Sequence, residues 1–199
     1  MDTKSLIIDT ATNLFQQKGY KSVGLNEILK ACNVTKGALY HHFPNGKEEL
    51  LITCLQILNE AITTDIEAIF KEHLSTKEAT QSLIDTLIHI LESDGTITGY
   101  TFSSIVSEMA TVNEPVRKAC NALYENIQHI YCAKLVTEGF SDETASAIAL
   151  LMTASIEGAM MLCLTQKSTD PLKTIAKLLP DSLEAFKKSK QRNENKVRL

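Results

Sequence analysis

A lysine, a glycine, a phenol and an imidazole fall together on one side of a short helical segment, as Lys36, Gly37, Tyr40 and His41. At about 100° per residue, Leu39, His42 and Phe43 fall on the opposite side. The first face carries groups that suit a nucleic-acid groove. Lysine donates to guanine or to phosphate, glycine lets a backbone approach closely, and tyrosine and histidine donate to phosphates. An aromatic corner over 40–43 would also serve a helical core. That alternative accounts for Phe43 and partly for His42, and leaves the outward Lys-Gly-x-x-Tyr-His face without a reason.

Such a face needs a platform, and the flanking sequence supplies one. Ile7, Ala11, Leu14 and Phe15 recur at helical spacing, and Gly19-Tyr20 then ends that helix. Leu25, Ile28, Leu29 and Cys32 repeat the pattern, a break follows at 32–34, and Thr35 can cap a helix over 36–42. The stretch LNEILKACNVTKGALYHHF (25–43) therefore predicts two helices joined by a tight turn. In such a unit the second helix lies in the major groove, its N-terminal residues nearest the bases. Leu39 and Phe43 should pack on Ile28, Leu29 and Phe15. Pro44-Asn45-Gly46 reads as a turn, and Lys47 opens the next helix, where a free amine and the helix's own amides both favour a phosphate.

Nearly every later segment is also helical in period: 47–72, 76–92, 102–111, 113–137 and 142–166. A last segment opens at Pro171, with a kink or a split into two short helices expected at Pro180 and a frayed, charged tail from Lys187. The expected fold class is all-α with about nine helices. Residues 1–46 form the helix-turn-helix domain, 47–190 a larger ligand-binding and dimerisation domain, and 191–199 a basic tail.

The 199 residues are 44% hydrophobic and 22% charged with four prolines, a globular rather than disordered composition. The net charge of −4 is unevenly spread: residues 1–50 carry +1, 51–186 carry −10 and 187–199 carry +5. The acidity thus sits away from the segment with the basic face, which permits DNA binding without establishing it. The basic tail is either a solvated end or a further phosphate contact. No secretory leader is read at the N-terminus. Five cysteines without a CxxC fit buried thiols in a reducing cytoplasm or, alternatively, a redox switch. The most apolar run, 147–164, approaches the length of a membrane span but contains Glu157, and a buried helix is the expectation. There is no G-x-S-x-G, no glycine-rich phosphate loop and no HExxH, so no enzyme and no cofactor is expected. His129 and Cys132 make at most half a metal site.

VTKGALYHHFPNGKEEL, with LFQQKGYKSVGLNEI upstream, resembles the N-terminal domain of TetR-family repressors, densely over 7–51. IEGAMMLCLTQKSTDPL (156–172) is similar to the drug-responsive LmrA/YxaF-like group of that family. The resemblance implies an all-α dimer and a double-stranded DNA operator contacted by Thr35, Lys36, Gly37, Tyr40, His41, His42 and Lys47. The chain departs from the pattern at Gly24, where many members carry a capping Ser or Thr that also touches a phosphate; Asn26 is the candidate replacement. Ala145, Ala149, Met152, Ile156, Ala159 and Cys163 line one face of the helix from Asp142. That face either buries within the chain or meets another helix, and the resemblance implies the second, a dimer face in a four-helix bundle. A small-molecule effector is implied too. Its candidate lining is Tyr100, Phe102, Met109, Tyr124, Ile127, Tyr131 and Met160, residues that would equally serve as core. Glu157 would neutralise a cationic ligand, pair within the dimer or face water.

Overall fold

The computed structural model describes residues 2–94, 108 and 113–197, and among them there are eight α-helices and no strand. They are α1 (Thr3–Lys18), α2 (Leu25–Cys32), α3 (Lys36–His42), α4 (Lys47–Glu72), α5 (Thr76–Asp94), α6 (Glu114–Thr137), α7 (Asp142–Gln166) and α8 (Asp170–Val197). Apart from Glu108, the short helix expected over 102–111 lies outside the described residues, as do Tyr100, Phe102 and Met109.

The ends of these helices fall where the sequence places them because the capping groups are local. Asp2 Oδ1 accepts the Ser5 N–H at 2.7 Å, and that bond holds the Asp2 carboxyl below the usual carboxylate range. Thr35 Oγ1 accepts from Ala38 N at 3.2 Å, and Ser141 Oγ from Thr144 N at 3.4 Å. Gly19, at φ +77°, closes α1 and returns its N–H to the Phe15 carbonyl.

The C-terminal end differs from expectation. Of the kink or split expected at Pro180 the split does not occur, and α8 is one helix that continues through Pro180 and past Lys187 to Val197. A helical proline forfeits one amide hydrogen bond, but Pro180 and its neighbours Leu179 and Leu183 are all buried, and that burial offsets the loss. Beyond it the run of Lys, Gln, Arg and Glu contains neither glycine nor a second proline, so nothing stops the helix.

The chain packs as two compact units. The first comprises 1–62 with the described part of 98–123. Its core includes Ile7, Ala11, Phe15, Val23, Ile28, Leu39, Phe43, Leu50, Leu51 and Leu55. α1 packs on both α2 and α3. The second unit comprises 63–97 and 124–199, and in it α8 packs along α5 and α7. Lys134 in the last turn of α6 and Glu138 just after it pin the junction between α4 and α5. Lys134 Nζ donates to the His73 carbonyl at 2.6 Å, and Glu138 Oε1 accepts from Thr76 N at 2.5 Å and from Thr76 Oγ1 at 2.6 Å. α5 is thus capped by a carboxylate 62 residues away.

Four of the five free cysteines are buried; Cys132 is half-buried, against the expectation that all five are core. Burial pushes the Cys54 and Cys120 thiols up to about 11, so at pH 8 only about one in a thousand is thiolate. An aromatic disulfide reagent at pH 8 should therefore consume Cys132 first and the other four only on unfolding. Rapid reaction of all five thiols in native buffer would contradict this packing.

Candidate nucleic-acid interface

α3 has seven residues, too few to hold a helix alone. It is held from below by Leu39 and Phe43, 0% and 1% exposed. Ile28 and Phe15 are buried in the same unit, while Leu29 is only half-buried. The turn between α2 and α3 is short because Asn33 takes the left-handed conformation at φ 52° and Val34 N–H returns to the Leu29 carbonyl. Thr35 then caps α3.

The upper face is the expected one. Thr35, Lys36, Gly37, Tyr40 and His41 are exposed, and His42 is half-buried. Lys36 Nζ lies 5.7 Å from the centre of the Tyr40 ring, within reach of a cation–π attraction. The His41 and His42 rings meet edge to face at 5.0 Å. Tyr40 rests over Gly46, whose φ of +70° is the conformation glycine supplies to the turn. Asn26 is exposed in the first turn of α2, and Gly24 caps that helix without a side-chain bond.

Lys47 departs from expectation. Its amine does not stand free toward a phosphate: Nζ donates to the Tyr20 carbonyl at 2.5 Å and sits 3.9 Å from the centre of the Tyr20 ring. Desolvation lowers its pKa, opposed by the nearby charge of Glu108. The first turn of α4 is acidic besides, and Glu49 reaches back to Asn45 N at 2.8 Å. Glu108 itself carried no signal in the sequence, because nothing local marks an acid that bonds a backbone 87 positions away.

In the second unit, Ile127, Tyr131 and Met160 are buried and Tyr124 is half-buried. Tyr131 packs on Phe70, ring centres 4.9 Å apart, and burial together with the Glu157 charge raises its pKa. Tyr124 donates a long, 3.5 Å hydrogen bond to Glu157 Oε2. His129 is exposed, and no cluster of three or more potential metal ligands occurs among the described residues.

The expected dimer face is corrected. Ala145, Ala149, Met152, Ile156, Ala159 and Cys163 are each at most 5% exposed within the single chain, so they form its own core rather than an open face. The other side of α7 is open and equally apolar: Ala147, Leu150, Leu151, Ala154, Gly158, Met161 and Leu162, with Leu150 at 56% and Leu162 at 51%. A helix apolar all round gives no internal sign of which stripe faces its own core.

A buried-backed, basic, aromatic face on the second helix of a tight helix pair defines a helix-turn-helix DNA-binding protein. Residues 7–54 match the bacterial regulatory proteins of the tetR family, and residues 76–178 match the C-terminal domain of LmrA/YxaF-like transcriptional regulators. Over 179 residues the chain is 35% identical to the uncharacterized HTH-type transcriptional regulator YxaF of Bacillus subtilis (strain 168), covering 90% of this chain and 94% of that one. It is 33% identical over 183 residues to the HTH-type transcriptional regulator LmrA of the same organism, covering 92% and 97%. Among solved structures, reduced NemR of E. coli superimposes with a TM-score of 0.79 at 22% identity, covering 88% and 94%. The chain belongs to the TetR family of transcriptional regulators, within its LmrA/YxaF-like group, and that family is one of DNA-binding regulators rather than enzymes.

Two substitutions on α3 should separate reading from anchoring. Lys36→Ala should weaken DNA binding and reduce the salt slope of log affinity by about one while changing stability by less than about 0.5 kcal/mol. Leu39→Ala should cost about 2–5 kcal/mol in urea unfolding. Equal stability losses for the two would contradict the burial pattern.

Proposed function

We propose that this protein is a ligand-responsive repressor that binds a palindromic operator as a homodimer and leaves it when a small hydrophobic or aromatic molecule binds. The observation that carries the proposal is the outward Thr35–Lys36–Gly37–Tyr40–His41 face above buried Leu39 and Phe43. In this reading residues 1–46 read DNA, with Asn26, His42 and Lys47 at the margin of the contact. Residues 47–190 dimerise and bind the effector, and 191–199 form a basic tail. The protein acts in the cytoplasm, where its operator is.

The dimer is assigned to the open stripe of α7 with Leu178 of α8, which is 60% exposed. Between these helices lies a depression of about 490 Å³ lined by Ala154, Gly158, Leu162, Pro171 and Ile175 among others. It is a hollow that an apolar side chain of a second copy would fill. Two-fold pairing carries two copies of α3, and successive major grooves on one DNA face are about 34 Å apart. Ile127, Tyr131 and Met160, with Tyr124 and Glu157 at their edge, support an effector of flat, apolar character. Effector binding would favour a conformer whose two α3 helices no longer match that spacing.

The test is fluorescence anisotropy with the DNA upstream of the protein's own gene, with and without a panel of small aromatic compounds. The expected result is nanomolar binding that one compound class weakens at least about tenfold, a coupling of about 1.4 kcal/mol. Binding no tighter than to random DNA would end the repressor reading, and operator affinity unmoved by any effector that demonstrably binds the protein would end the ligand-responsive one. In light scattering, the 22.0 kDa chain should run at twice its mass, and the Leu150→Glu/Leu162→Glu variant as a folded monomer. A variant that stays dimeric would place the interface elsewhere.

A further inference from the structure

Gly19, Tyr20 and Lys21 form the turn between α1 and α2, and two side chains of opposite charge hold it. Glu108 Oε2 accepts the Lys21 N–H at 3.0 Å, and Lys47 Nζ donates to the Tyr20 carbonyl at 2.5 Å. The same carboxylate overhangs Gly19: a Cβ there would stand 2.7 Å from Glu108 Oε1. Gly19 is also at φ +77°, so the backbone there favours glycine, and a Cβ would push the end of the Glu108 side chain aside. Glu108 and Lys47 feel one another's charge, so the two holds on the turn reinforce each other.

This turn decides where the helix-turn-helix begins. α2 starts four residues after Lys21, and its cap Gly24 provides no side-chain bond to fix that start. What holds the approach is the turn itself, through Val23, which is fully buried and returns its N–H to the Tyr20 carbonyl at 3.4 Å. α1 packs on both α2 and α3, so a shift in this turn moves the seat of the recognition helix.

We propose that Glu108 is a positioning residue for DNA binding: by holding the Lys21 amide it sets the α1–α2 turn, and with it the placement of α3, without touching DNA. The proposal rests on the DNA-binding reading of α3. Electrostatics makes it decidable by sign. An acid near a DNA-binding face weakens association, so its removal should tighten binding if charge is all it contributes. If it positions the turn, its removal should loosen binding.

The experiment uses the full chain and a labelled duplex that the wild-type protein selects from a randomised pool. Affinity is measured between about 50 and 200 mM salt. Glu108→Gln keeps an acceptor oxygen for the Lys21 amide and should bind within about twofold of wild type. Glu108→Ala should lose about five- to twentyfold, with the salt slope unchanged because no phosphate contact is lost. Amide exchange at Lys21 should speed up in Glu108→Ala and not in Glu108→Gln. Gly19→Ala displaces the carboxylate without removing it and should also weaken binding. Part of that loss should disappear in the Gly19→Ala/Glu108→Ala double variant, a non-additivity above about twofold. Should Glu108→Ala fail to fold, Gly19→Ala and Glu108→Gln carry the same comparison. Unchanged or tighter binding by Glu108→Ala, a salt slope reduced by about one, or full additivity would each overturn the proposal. If the wild-type protein selects no duplex, the DNA-binding reading itself has failed. If it does and Glu108→Ala matches it, only the positioning role has.

Discussion

A helix of seven residues cannot fold by itself, since fixing its first turn costs backbone entropy that the few hydrogen bonds it can make do not repay. α3 therefore exists because Leu39 and Phe43 are buried beneath it and because Thr35 caps its start. Everything proposed for the DNA-reading face follows from that anchoring. With two side chains fixed below, the helical period leaves Lys36, Gly37, Tyr40 and His41 no direction but outward. A recognition surface made this way is rigid where it is buried and adaptable at its tips, as suits a face that must fit a groove of set width.

The same economy recurs at the ends of other helices. Glu138 holds the start of α5 and Lys134 engages the carbonyl end of α4, both from the C-terminal end of α6. Glu108 and Lys47 hold the turn after α1. In each case a charged side chain distant in sequence bonds backbone groups at a helix end or in the turn beside it. These are charge-assisted bonds, shorter and stronger than their neutral counterparts, and they tie segments that the short loops alone would leave free to pivot. The exposed ion pairs between α5 and α8, Lys173–Glu92 and Lys77–Asp181, add far less, because water screens them.

α7 carries the other constraint. It has the length and apolar content of a membrane span, but one of its two apolar stripes forms the core of the second unit. The stripe left outside, with Leu150, Leu151, Met161 and Leu162, is a contiguous apolar surface of the kind that marks an interaction site. Small residues at Ala154 and Gly158 thin the backbone there, which lets a second helix approach closely.

The helical class, the helix-turn-helix, its caps at Thr35 and Ser141 and the outward face of α3 are legible in the residues alone, because capping and helical period are local and each residue carries its own signal. The residues also offered a kink or a split at Pro180, and the helix is not split there but runs on to Val197. Packing is what turns one stripe of α7 inward, since two equally apolar stripes are indistinguishable until a neighbour is packed against one. It alone placed the Lys47 amine on Tyr20 and the Glu108 carboxylate on Lys21, because a side chain's partner across 27 or 87 positions is set by how the chain returns on itself and not by the residues beside it.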